Sequence, residues 1–103
     1  MRSRWSVTRE EAIRILQKAL PGIKERYGVQ ALGLFGSVAR NEAGTGSDVD
    51  VLVAFEGPAR FRAFMGLQFE LEELLGSKVD LVSSKSLKPL LRAEIERDLI
   101  HVA

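Results

Sequence analysis

Two acids, Asp48 and Asp50, stand at the head of the apolar run "DVDVLVAF". Side chains alternate along a strand, so both carboxylates face one way while Val49, Val51 and Val53 face the other. Like charges held that close raise each other's pKa unless something positive relieves them. A divalent cation with oxygen ligands does so, and Mg2+ needs only one or two protein carboxylates, leaving positions for water and phosphate oxygens. A third acid, Asp80, interrupts another apolar stretch, "KVDLV", where aspartate is disfavoured. If the two strands are neighbours, Asp80 lies across from Asp48 and Asp50 on one face. Three carboxylates and two metal ions would then serve in-line displacement at phosphorus. One ion lowers the pKa of an attacking hydroxyl, and the other holds the leaving phosphates. Asp80 enters that scheme as a metal ligand or as a general base.

The phosphates need a seat of their own. Gly36-Ser37, separated from Asp48 by the ten residues 38 through 47, offers one where a strand meets a helix start. Glycine lets the backbone approach a ligand closely, and free amides plus the serine hydroxyl meet anionic oxygens. The expected site is a Gly-Ser phosphate grip facing an acidic metal grip, both on one triphosphate. Rival motifs drop out. There is no G-x-x-x-x-G-K-[ST], and Gly44-x-Gly46 lacks the following lysine of a P-loop. Val51 and Leu52 follow Asp50 where a calcium loop requires oxygen ligands and glycine. With one histidine, His101, and no cysteine, the chain cannot build a histidine cluster, a thiolate zinc site, a disulfide framework or a thiol nucleophile.

The elements that must position these groups can be read from periodicity. Thr8 and Glu11 have capping-box spacing, and Ala12, Ile13, Leu16, Ala19, Leu20 and Ile23 recur at helical intervals, predicting a helix from about Arg9 to Arg26. Pro21 and Gly22 predict a kink or break inside it. "VQALGLFG" reads as a strand, Ser37 as the cap of a brief helix over Val38 to Arg40, and Asn41 as its left-handed stop. "NEAGTGS" is a loop feeding the second strand. From about Ala59 to Leu75 a helical face is traced by Phe61, Phe64, Met65, Gln68, Leu71, Leu74 and Leu75, ended by Gly76. "KVDLVS" is a third strand, Ser86 and Pro89 begin a helix carrying Leu90, Leu91 and Ile95, and "LIHVA" can close as a small fourth strand. The order predicts an α/β (α+β) layered domain with a small mixed sheet flanked by helices.

At 103 residues the chain supports one core, so residues 1–103 are expected as a single domain, with 1–7 as a flexible N-terminal extension. A net charge of +1 gives no global field to draw it onto nucleic acid, which is not expected as a partner. No run is long enough to cross a bilayer, so no membrane is expected, and "MRSRWSVTREE" has no apolar signal core. The absence of cysteine fits a reducing cytoplasm.

The pattern resembles the minimal nucleotidyltransferases of the polymerase-beta-like superfamily, whose signature is Gly-Ser, ten residues, then Asp-x-Asp. "LGLFGSVAR", "GSDVDVLV", "KVDLV" and "LKPLLRAEI" all look like that family, over about Ala12 to Val102. The resemblance implies that Gly36 and Ser37 bind nucleotide phosphates, that Asp48 and Asp50 ligate Mg2+, and that Asp80 completes the triad. Arg40 matches the family's arginine after Gly-Ser, and either reaches phosphate or pairs with an acid to hold the loop. Asn41 departs from the glycine common in the family. The implied reaction is transfer of AMP from ATP to a hydroxyl, with the chain acting as antitoxin toward a HEPN-domain toxin. Two other readings are an antitoxin that acts by contact through an exposed apolar stripe of Phe61, Phe64 and Phe69, and transfer to a small molecule or an RNA end.

Overall fold

The computed structural model describes residues 7–42, 48–58 and 60–102. Helix α1 spans Arg9–Tyr27, and the Thr8–Glu11 capping box opens it as its spacing predicts. Pro21 lies inside α1 without ending it, so the expected break does not occur. Burial of Ala12, Leu16 and Ile23 on one stripe holds the helix together across the hydrogen bond that proline removes. Gly28, at φ 68°, closes α1 in the left-handed region.

Strand β1 (Val29–Phe35) leads into the one-turn helix α2 (Gly36–Ala39), and β2 (Val49–Phe55) follows. Helix α3 covers Phe61–Leu75 and stops at left-handed Gly76. Strand β3 (Val79–Ser83), a 3-10 turn at Ser84–Ser86, helix α4 (Pro89–Asp98) and the short strand β4 (Ile100–His101) complete the order. The mixed sheet runs β3-β2-β1-β4. β2 is antiparallel to β1 and parallel to β3, while β4 is antiparallel to β1.

Alternation gives the sheet two unlike faces. Leu32, Leu34, Val49, Val51, Val53, Val79 and Leu81 are buried on one of them, in a single cluster with Leu16 and Ile23 of α1 and Leu67 and Leu71 of α3. The other face carries Phe35, Asp50, Leu52, Asp80 and Val82, partly covered by α4. Gly33 is buried on that side because Leu99 lies over it: a Cβ at Gly33 would come within 2.6 Å of Leu99 Cδ1.

The apolar stripe of α3 turns out rotated from the sequence reading. Leu67, Leu71 and Leu75 are its buried residues, whereas Phe61 and Leu74 are exposed. Leu90 and Leu91, expected in the core of α4, are also exposed, and Ile95 alone is buried there. Residues 1–6 of the expected extension and residues 43–47 of the expected loop lie outside the described residues, while Val7 packs into the core.

Candidate active site

β2 and β3 are neighbours, and the register sets Asp50 beside Asp80. On its other side Asp50 is opposite Phe35, the last residue of β1, so Asp50 and Asp80 lie on adjacent strands in a row with Gly36, the first residue of α2, just past the end of β1. This row sits where β1 ends and where β2 and β3 begin. Asp48, immediately before β2, is exposed at the rim, whereas Asp50 is half-buried.

The approach of Gly36 to Asp50 is closer than a nucleotide grip alone would require. Gly36 has φ +74°, and a Cβ built there would meet Asp50 Oδ2 at 2.0 Å. Both constraints demand glycine: the left-handed backbone, and the carboxylate filling the space of a side chain. The Gly-Ser turn is thus packed directly against the acidic pair.

Ser37 is the second residue of α2, not its cap as the sequence suggests. The N-cap is Phe35, which makes no side-chain capping bond. The first bonds closing the turn are Arg40 N–H to Gly36 O at 3.0 Å and Asn41 N–H to Val38 O at 3.0 Å. The amides of Gly36, Ser37 and Val38 precede the first intrahelical bond and have no partner within the helix, as in any first turn. Asn41 takes φ 60°, the left-handed stop expected of it.

Burial, together with the charges of Asp80 and Asp48, pushes the Asp50 carboxyl up to about 6, against a smaller opposing pull from Arg40. Asp50 and Asp80 thus stand side by side on adjacent strands as two carboxylates. Such a pair is short of positive charge. Its donors are all oxygen, it is partly open to solvent, and a third carboxylate waits at the rim. Those properties fit a hard cation that keeps water and phosphate ligands. Among the described residues no three ligating side chains form a closed cluster, so the donor set does not fit a metal held in an all-protein cage.

Arg40 pairs with two acids. Its Nε donates to Glu42 Oε1 at 2.8 Å and its Nη1 to Asp98 Oδ2 at 2.8 Å. The guanidinium therefore ties the end of α2 to the end of α4. Nothing in the sequence marked Glu42 or Asp98 as partners, because Asp98 is brought to Arg40 only by the packing of α4 over the sheet. Between α4 and the acidic row lies a cavity of about 320 Å3 bordered by Phe35, Gly36, Asp80, Val82, Leu91 and Ile95.

Comparison with known proteins accords with this geometry. The nucleotidyltransferase domain family matches residues 16–102. Protein adenylyltransferase MntA of Thermococcus cleftensis is 42% identical over 96 residues, covering 93% of this chain and 97% of that protein. The solved structure of a candidate minimal nucleotidyltransferase superposes with a TM-score of 0.77 at 39% identity, covering 91% of this chain and 95% of the other. A chain from the complex of tri-AMPylated Shewanella oneidensis HEPN toxin with MNT antitoxin shares the fold, with a TM-score of 0.65 at 20% identity over 88% of this chain and 71% of its own. A glycine turn packed against two aspartates of adjacent strands, in a chain matched almost end to end by these proteins, has one reading: the chain belongs to the nucleotidyltransferase domain family, in its minimal, MntA-like branch.

Proposed function

We propose that this nucleotidyltransferase moves AMP from ATP to a hydroxyl on a partner protein, a HEPN-domain toxin, and so acts as its antitoxin in the cytoplasm. The observation that carries the chemistry is the Gly36–Asp50–Asp80 row, with Asp48 at its rim. The protein acceptor is supported by the likeness to a protein adenylyltransferase over nearly the whole of both chains.

In this reading Gly36 and Ser37 offer backbone amides and a hydroxyl to the phosphates, and Asp48, Asp50 and Asp80 hold Mg2+, with two ions in the full site. The metal supplies charge neutralisation at phosphate and a lower pKa for the attacking hydroxyl. The acceptor oxygen forms a bond to Pα while the bond from Pα to the oxygen bridging Pβ breaks. Pyrophosphate leaves with that electron pair, and the acceptor proton passes to Asp80. Arg40 acts as a positioning residue, holding the Gly-Ser turn through Glu42 and Asp98.

The test is transfer of label from α-labelled ATP to the co-purified HEPN partner in the presence of Mg2+. Label should appear on the partner and disappear with Asp48→Asn; label that persists in that variant overturns the metal assignment. The exposed Phe61 and Phe69 favour one second reading, neutralisation by contact. An unmodified partner bound tightly, with no added nucleotide mass, would establish that reading instead.

A further inference from the structure

We infer that the outer edge of β3, with the start of α3, is a groove that receives the acceptor-bearing segment of the partner as an added β-strand; this rests on the protein acceptor proposed above. β3 is an edge strand of the sheet. Val49 N–H donates to Lys78 O at 2.9 Å across the parallel β2–β3 ladder. In such a ladder the residues whose backbone groups face the neighbour alternate, so Asp80 and Val82 turn theirs to β2 and Val79, Leu81 and Ser83 turn theirs outward.

The outward groups of Val79 are already satisfied from α3. Its N–H donates to Glu72 Oε2 at 3.1 Å, and its carbonyl accepts from Gln68 Nε2 at 3.3 Å. Nearer the start of α3 no such side chain reaches across. Among the described residues nothing pairs with the outward N–H and C=O of Leu81 or with the outward N–H of Ser83, whose carbonyl closes the first turn of the 3-10 segment. A cleft of about 450 Å3 opens there, bordered by Arg60, Phe61, Phe64, Leu81 and Ser83. Phe61 is 79% exposed, although aromatic rings normally seek cover.

These features specify the occupant. Unpaired donors and acceptors along a strand edge are met by another backbone in extended form, and an apolar wall beside them accepts alternate side chains. The charge is one-sided: Arg60 borders the cleft and no carboxylate lines it. The segment is therefore extended and acidic, with an apolar residue facing Phe61.

Pairing there also delivers the hydroxyl. Adjacent strands lie about 4.8 Å apart, and side chains opposite one another share a face. A residue of the added strand opposite Asp80 thus presents its hydroxyl on the same face as Asp80, beside the acidic row. A docking site and the catalytic carboxylates become consecutive positions of one strand.

Ser83 has φ −83° and ψ 132°, within the range of proline, so Ser83→Pro removes the outward N–H without straining the fold. This variant should keep the parent melting temperature and ATP affinity while raising KM for the HEPN partner about tenfold, the loss of one well-formed contact. Phe61→Ser should raise KM in the same sense, and hydrogen exchange at Leu81 and Ser83 should slow when the partner is added to the wild-type chain. An unchanged KM in both variants, or exchange at those amides as fast in the complex as alone, overturns the groove. Loss of self-association in Ser83→Pro with partner KM unchanged also overturns it, by giving the edge to a second copy. Failure of the wild-type chain to label the partner removes the protein acceptor itself, a result distinct from all of these.

Discussion

At Asp50 function and stability pull in opposite directions. Its carboxyl is raised to about 6 in the folded chain, against 3.8 for an ordinary aspartate. A group raised in the folded state contributes its stability below the unfolded value and loses it as pH climbs through the folded one. Asp50 therefore costs the metal-free protein stability as pH rises from about 4 to above 6. Because the group is only half-buried and screened by solvent, the cost is on the order of 1 kcal/mol rather than the full shift. Asp50→Asn should raise the melting temperature of the metal-free protein by ~4–8 °C at pH 7.5, with the gain gone at pH 4, measured by calorimetry at both values. The same substitution should lower nucleotidyl transfer roughly 10²–10³-fold. Gly36→Ala is the reverse case, harmful on both counts. It needs a positive φ and puts a methyl group onto Asp50 Oδ2, so about 1–3 kcal/mol of stability should be lost along with transfer. A denaturant midpoint and a single-turnover assay on the same sample check both.

At the scale of elements, α3 and α4 do different work. Leu67 and Leu71 are fully buried between α3 and the sheet, and Leu71→Ala should cost about 2–5 kcal/mol in a denaturation experiment. A second tie between α1 and α3 is polar: Tyr27 Oη donates to Glu70 Oε1 at 2.8 Å, and Arg26 pairs with the same carboxylate. Burial alone would push Glu70 up, but hydrogen bonds from Arg26 and Tyr27 hold it lowered overall. Helix α4 is joined to the site through Asp98 and Arg40. If Arg40 acts by holding the phosphate turn, Arg40→Ala and Asp98→Ala should lower transfer by similar factors, and the double variant should be little worse than either. A far larger loss for Arg40→Ala than for Asp98→Ala would instead mean direct contact with phosphate.

For the whole molecule, the proposed function makes the nucleotide and its cation part of the folded structure, since the acid row is short of positive charge. Mg2+ with ATP should raise the melting temperature, by about 2.7 kcal/mol of added stability at a hundredfold excess over Kd. Chelation should abolish both that shift and transfer, and Asp50→Asn should show neither. No helix of the described residues is long and apolar enough to cross a membrane, and one face of the sheet is only partly covered, by α4. That face, with the β3 edge beside it, is where the molecule keeps its unpaired backbone and its exposed Phe61 and Leu90.

Local interactions were legible in the residues themselves. The capping box at Thr8, the glycine stops at Gly28 and Gly76, the left-handed Asn41 and the three longer strands each depend on a few neighbouring side chains and backbone angles. The Gly-Ser and Asp-x-Asp spacing likewise named the acids and the turn. Which faces α3 and α4 bury was not legible, because apolar residues outnumber the positions the sheet can cover, so Phe61, Leu74, Leu90 and Leu91 remained outside. The bond from Arg40 to Asp98 and the near-contact of Gly36 with Asp50 were equally hidden, being distances between segments remote in the chain. Residue order fixes local geometry through short-range sterics and hydrogen bonds; only packing the sheet between its helices brings the distant charges together and leaves one strand edge bare.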